Sequence, residues 1–318
     1  MKRSRNDMIQ LIVLSALGLA VLLSLVIPQQ PQPQHYEDAP EISVIIREPE
    51  DRNWLNTRQG MEHAAGDAGA DLRFIPLTEA NNSAEQEELI RREARSGADV
   101  FIIAPADPEG LDRRLPELTD GGVTVSLESP MSAADDVIAA ENKEIGRALA
   151  LDLLENWDGG SVLLIDSAPR CTAVQERIGA ARAVLEENRV PMVVWECPSA
   201  EIAARLARES SRTSAHYVMA FEHTATEQAG LARETTGMTG AVYGVGSGGS
   251  IVSYLERGAL EAVAAWSDYA VGYLAVARAV GIYNGTVSWP EEGVDFHIVH
   301  REEIYDSDIQ KLLFPVGA

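Results

Sequence analysis

Cysteine is nearly absent from this chain: Cys171 and Cys197 are the only two among 318 residues. That excludes a small scaffold held together by several disulfides. Basic residues are also scarce, 26 Lys and Arg against 49 Asp and Glu, for a net charge of -23. Binding to phosphate backbones or to an anionic bilayer face needs a basic surface, so nucleic acid is excluded as the main partner. No serine elbow, catalytic cysteine dyad, Walker loop or close pair of buried carboxylates stands out, and the chain is expected not to be an enzyme. What is there is a chain 46% hydrophobic and 24% charged, neither disordered nor collagenous, and long enough for two ordinary domains.

One hydrophobic run is long. Residues 9–27 form 19 consecutive positions without a charge, enough as a helix to cross about 30 Å of hydrocarbon. Lys2, Arg3 and Arg5 precede it with only Asp7 against them, and no basic residue follows closely. The positive-inside rule then predicts a cytoplasmic tail at 1–8, a transmembrane anchor at 9–27 and the bulk of the chain outside, as a single-pass protein of the cell membrane. The run passes from Leu25-Val26-Ile27 straight into Pro28 with no small-residue cleavage site, so an uncleaved anchor is expected, a cleaved signal being the alternative. Residues 28–40, with Pro28, Pro31 and Pro33 among glutamines, read as an extended linker.

From Glu41 onward strand and helix signals alternate. Apolar runs at 42–46, 72–77, 100–103, 123–127, 162–165, 192–195, 217–220, 241–245 and 260–265 read as strands. Between and after them, 53–69, 83–97, 108–121, 142–157, 173–188, 200–209, 224–236, 250–257 and 269–283 carry helical spacing. Continuous apolar strands separated by amphipathic helices predict an α/β fold with parallel sheets covered on both faces. There are too many units for one core, so two doubly wound lobes are expected, with a ligand beyond the carboxyl ends of their strands.

Several motifs in register resemble those of the type 1 periplasmic binding proteins, ribose-binding-protein-like solute carriers of ABC transporters. They are Gly97-Ala98-Asp99-Val100-Phe101-Ile102-Ile103-Ala104-Pro105, Val123-Thr124-Val125-Ser126-Leu127-Glu128, Gln175-Glu176-Arg177-Ile178-Gly179 and Ala241-Val242-Tyr243-Gly244-Val245-Gly246. The resemblance implies two lobes joined by three crossovers, near 139–142, 246–248 and 266–268. The lobes would be residues 41–140 plus 247–266 and residues 141–246 plus 267–318.

It also implies binding positions. Trp54 falls where the family stacks an aromatic ring on its ligand, Glu128 where an acid meets sugar hydroxyls, and Arg177 where an arginine reaches the ligand. At three further family positions this chain departs from the usual residues: Glu222 stands for an Asn, Gly246 for an Asp and Trp266 for a Gln. Two carboxylates and two indoles suit a carbohydrate, and equally a cationic or aromatic solute.

Two enzyme-like signals dissolve on inspection. Gly244-Val245-Gly246-Ser247-Gly248-Gly249 satisfies the dinucleotide fingerprint, but it lies at the end of the alternating region and coincides with an expected crossover. His297 and His300 sit in a strand-like setting, where they face opposite ways. Neither a metal nor a cofactor is expected. Cys171 and Cys197 each follow a predicted strand of the second lobe, and sequential parallel strands are usually neighbours. A disulfide between them is therefore expected, two reduced thiols being the alternative. Together these readings predict a membrane-anchored extracytoplasmic protein that captures a small, carbohydrate-like solute by lobe closure and presents it to an ABC permease. The alternatives are a ligand-sensing subunit of a sensor kinase, or an enzyme on the same scaffold.

Overall fold

A computed structural model describes residues 39–49, 54–209, 215–236, 238, 240–286 and 294–314. The expected tail, anchor and most of the linker lie outside the described residues. Among those described, no helix is long and apolar enough to cross a membrane.

The first lobe is a five-stranded parallel sheet in the order β2-β1-β3-β4-β5. Its strands are β1 (Glu41–Ile46), β2 (Asp71–Pro76), β3 (Val100–Ile103), β4 (Val123–Leu127) and β5 (Asp136–Ile138). Side chains alternate across a strand, and β1 shows the result. Ile42, Val44 and Ile46 face one buried cluster, shared with Met61, Ala64 and Ala65 of α1 (Leu55–Ala68). Ile45 faces the other, with Ile90 of α2 (Ser83–Arg95), Leu111 of α3 (Pro108–Asp112) and Leu115 and Leu118 of α4 (Leu115–Leu118). The single helix expected over 108–121 is these two short ones. Pro116 in the first turn of α4 has no N–H to extend a preceding helix and suits a helix start instead. The three-residue β5 is too short to show a period in the sequence.

The second lobe is a six-stranded sheet in the order β11-β10-β9-β8-β6-β7. Its strands are β6 (Ser161–Asp166), β7 (Met192–Glu196), β8 (Ala215–Ala220), β9 (Ala241–Val245), β10 (Ala262–Trp266) and β11 (Phe296–His300), the last antiparallel to β10. One face is covered by α5 (Asn142–Glu155) and α6 (Thr172–Glu187). The other is covered by α7 (Ile202–Glu209), α8 (His223–Thr236), α9 (Gly249–Glu256) and α11 (Ser307–Leu313), the last helix of the described chain.

The expected exchange of segments between lobes is reversed. Residues 247–266, assigned to the first lobe, form α9 and β10, and β10 pairs in parallel with β9 in the second sheet. The segment 246–248 is thus an ordinary strand-to-helix turn and not a crossover. Residues 268–283, assigned to the second lobe, form α10 (Asp268–Tyr283), which lies on the first sheet beside α1. Glycine explains the docking: a Cβ on Gly60 would stand 2.1 Å from Tyr269 O, and one on Gly272 only 1.9 Å from Thr57 O. The two helices touch backbone to backbone, which only residues without a side chain allow. The chain therefore changes lobe between β5 and α5, between β10 and α10, and between α10 and β11. A bridge between Ala140 and Val294 sets the first and last of these passages side by side.

Candidate functional site

The carboxyl ends of the parallel strands of both sheets face one another, and the residues at or just beyond the ends of β1, β4, β8 and β10 meet there, buried between the lobes. Arg47, the first residue after β1, is at the centre. Its guanidinium stands 3.1 Å from Glu128 Oε2, 3.1 Å from Glu48 Oε1 and 3.2 Å from Glu222 Oε1, and also donates to Asn81 Oδ1 at 3.0 Å. It is 2% exposed, so these contacts are made out of water, where a charge without partners would be expensive.

Each of the six expected positions can be placed against this centre. Trp54 stands at the start of α1 and its indole donates to Glu48 Oε2 at 3.3 Å. Glu128, just beyond β4, adopts φ 62°, a left-handed conformation unusual for a residue with a side chain. Its N–H bonds Ile138 O and its carbonyl accepts from Asn142 Nδ2 at 2.8 Å, which fixes the turn. Glu222, just beyond β8, accepts from the hydroxyls of Ser167 and Ser199. Arg177 of α6 donates to Asn142 Oδ1 at 2.9 Å and to Phe221 O at 3.0 Å, and its guanidinium lies 5.1 Å from the centre of the Trp266 ring. Gly246 contributes backbone: at φ 128° a Cβ would come within 1.8 Å of His223 Cδ2. Arg47, Glu48, Asn142 and Glu128 thus tie five of the six positions into one network, and Gly246 lies beside it against His223.

That network crosses between lobes. Arg47 of the first lobe pairs with Glu222 of the second, Glu48 accepts from Thr224 Oγ1 at 3.4 Å, and Ser129 Oγ accepts from Ala173 N at 3.0 Å. At the hinge beside it, Ser247 N donates to His223 Nε2 at 3.0 Å and Ser247 Oγ to the Asp268 carboxylate.

The carboxylates divide by environment. Burial alone would raise Glu222, but the Arg47 guanidinium and the Ser167 hydroxyl hold it down to about 2. Glu128, half-buried, is also held below the ordinary range, Arg47 and Arg177 overcoming what burial would raise. Glu48 goes the other way: burial pushes it well above that range, Arg47 offsets part of the rise, and the nearby Glu222 and Glu128 add to it. Burial likewise raises Asp268.

Arg47, Glu48, Asn142, His223 and Asp268 were not anticipated. Arg47-Glu48 had a readable signal, a charge pair placed directly after an apolar strand, where ligands of open α/β sheets gather. The expected disulfide is absent: Cys171 and Cys197 are free and buried. Cys171 joins the cluster under α5 and α6 and Cys197 the one under α7 and α8, so the sheet itself separates the thiols.

Solved structures share this architecture. A carbohydrate transporter solute binding protein from Agrobacterium Radiobacter, in complex with D-arabinose, is 15% identical with a TM-score of 0.79, covering 87% of this chain and 100% of that one. GanP, a glucose-galactose binding protein from Geobacillus stearothermophilus, is 18% identical with a TM-score of 0.74, covering 84% and 99%. XylFII in the XylFII-LytSN complex is 15% identical with a TM-score of 0.74, covering 83% and 98%. No curated protein matches the sequence. A family model described as a periplasmic binding protein domain matches residues 42–286. With the first sheet, all of the second but its antiparallel edge strand, and the residues gathered at their carboxyl ends inside that span, the chain belongs to the periplasmic binding protein family, a family of binding proteins and not of enzymes.

Proposed function

We propose that the chain is an extracytoplasmic solute-binding protein, tethered to the membrane through residues 9–27, that closes its two lobes on a small polar solute of carbohydrate type and presents it to an ABC transporter. The observation that carries this reading is the buried polar network at the carboxyl ends of both sets of strands, to which each lobe contributes charged groups. A ligand that touches both lobes stabilises the closed arrangement by the contacts available only there. Trp54, Glu128, Arg177, Glu222 and Trp266 supply indoles and hydrogen-bonding groups of the kinds suited to a hydroxylated ring, and Gly246 leaves the room that the His223 ring occupies. The D-arabinose in complex with the similar Agrobacterium protein, and the description of the Geobacillus one as a glucose-galactose binding protein, support the same class. One neighbour, XylFII, is described in complex with LytSN; it favours a second reading in which the closed lobes are read by a partner protein for sensing.

The test is thermal unfolding and small-angle scattering of the protein with a panel of mono- and disaccharides, polyols and amino sugars. Binding to the folded form raises the unfolding midpoint, by about 2.7 kcal/mol of stabilisation at a hundredfold excess over Kd. Closure lowers the radius of gyration. A panel on which no member changes either quantity would remove solute capture.

A further inference from the structure

The first lobe completes a helix of the second. Helix α6 opens with Cys171 at its N-cap, and that side chain makes no capping hydrogen bond. A Ser, Thr, Asp or Asn there would accept from an N–H two or three positions on, one of those that a helix start leaves without a partner. Here Ala173 N donates instead to Ser129 Oγ at 3.0 Å, from the loop just beyond β4. Ser129 is wholly buried, and its loop holds it ready: Ser129 N donates to Leu127 O, and Ser126 Oγ to Ser129 O, both at 2.6 Å. The cap is supplied by the opposite lobe, and it exists only while the lobes are together.

Other contacts join the lobes in the same direct way. Arg47 reaches Glu222, Thr224 Oγ1 donates to Glu48 Oε2, and at the rim Arg170 stands 3.4 Å from Asp107. These can part without leaving a bare charge, because each side keeps partners of its own. Away from Glu222, Arg47 still has Glu48, Glu128 and Asn81; away from Arg47, Glu222 still has the hydroxyls of Ser167 and Ser199. The attraction within such a buried pair is largely offset by the removal of both charges from water, so the bridge adds little net to closure. The start of α6 is different, since Cys171 offers it no cap from within its own lobe.

We infer that the lobes are latched to each other directly, with Ser129 as the bolt, so that closure is favoured before a solute enters and entry waits on release of the latch. The inference rests on the lobe movement proposed above and concerns where that movement comes to rest.

Cys171 reports on the seam without any added probe. It is fully buried and its sulfur lies 3.6 Å from Ser129 Oγ of the opposite lobe, whereas Cys197 is buried among side chains of the second lobe alone. The full-length protein in detergent micelles is treated with N-ethylmaleimide, and each thiol is followed by mass spectrometry. A covered thiol reacts in proportion to the time it spends uncovered. In the unaltered protein Cys171 is expected to react at least about tenfold more slowly than in the urea-unfolded chain. Ser129→Ala is expected to raise that rate about fivefold, the effect of one lost cap. Thr224→Val removes a contact across the seam without touching Cys171, and is expected to raise the rate about twofold. Ser132→Ala, in the same loop but bonded to Asp112 within the first lobe, is expected to leave it unchanged, and Cys197 is expected to respond to none of the three.

Cys171 reacting in the unaltered protein as fast as in the unfolded chain would mean lobes that rest apart, and would overturn the latch. So would a rate that Ser129→Ala does not move, one that Thr224→Val leaves unchanged, or a rise shared equally by Cys197. Should Ser129→Ala not fold, the unaltered protein and Thr224→Val decide. None of these rates needs a ligand. A sugar panel without a hit removes capture and leaves the latch standing, and a fast Cys171 removes the latch and leaves capture.

Discussion

Arg47 meets three carboxylates and an amide while almost wholly out of water. Removing one partner of such a buried set leaves the others uncompensated, at a cost of about 3–5 kcal/mol. Arg47→Ala is accordingly expected to lower the stability measured by urea unfolding by that amount. Arg47→Lys is expected to recover only part of it, since an ammonium lacks the planar fork that addresses Glu128, Asn81 and Glu222 from one group. The residue was legible only in part. An arginine at a strand end looks like any solvated turn residue until the fold brings Glu222, 175 positions later, against it. Trp54, Glu128, Arg177, Glu222 and Trp266 were reached because family likeness supplies the long-range pairing that a linear pattern lacks. The thiol pairing failed for a related reason. Adjacent strands were read correctly, but which face each thiol takes depends on the turns after β6 and β7.

At the scale of elements, the helix pair α1 and α10 shows how the same residue type serves opposite ends. Gly272 lies against Thr57 O, so Gly272→Ala forces the helices apart and is expected to destabilise the protein by about 1–3 kcal/mol, the range for overpacking. Gly66, in α1 itself, has open space where its Cβ would be, and Gly66→Ala is expected to add about 0.5–1 kcal/mol by helix propensity alone. Thermal unfolding of the two variants beside the parent checks both signs. Strand and helix order was readable because fully apolar runs and 3.6-residue spacing are local properties. Lobe membership of α9, β10 and α10 was not, because both lobes offer the same kind of parallel edge and apolar face. The choice rests on Gly60 and Gly272, whose meaning appears only when the two helices face each other.

For the molecule as a whole, the bridge from Arg47 to Glu222 ties lobe stability to acidity. Glu222 is depressed from 4.5 to about 2, so its contribution is fully present above pH 4.5 and is lost as pH falls toward 2. Unfolding midpoints followed from neutral to strongly acid pH are expected to fall across that window. Glu222→Gln is expected to start lower at neutral pH and to show a shallower acid decline. An identical slope in both proteins would detach the bridge from acid stability. Salt should matter little here, because pairs this deeply buried are screened far less than surface ones.

The return of α10 to the first sheet has a consequence for biosynthesis. Residues 39–138 leave the ribosome with all five strands of their sheet and with α1 on one side of it, yet the helix that completes that side over Ile102 and Val125 arrives only with residues 268–283. Until then a nascent amino-terminal half carries an oily flank only partly covered, the kind of surface that chaperones hold and that clumps when they do not. Neither half is therefore a self-sufficient translation product, and a stop codon anywhere before α10 strands both.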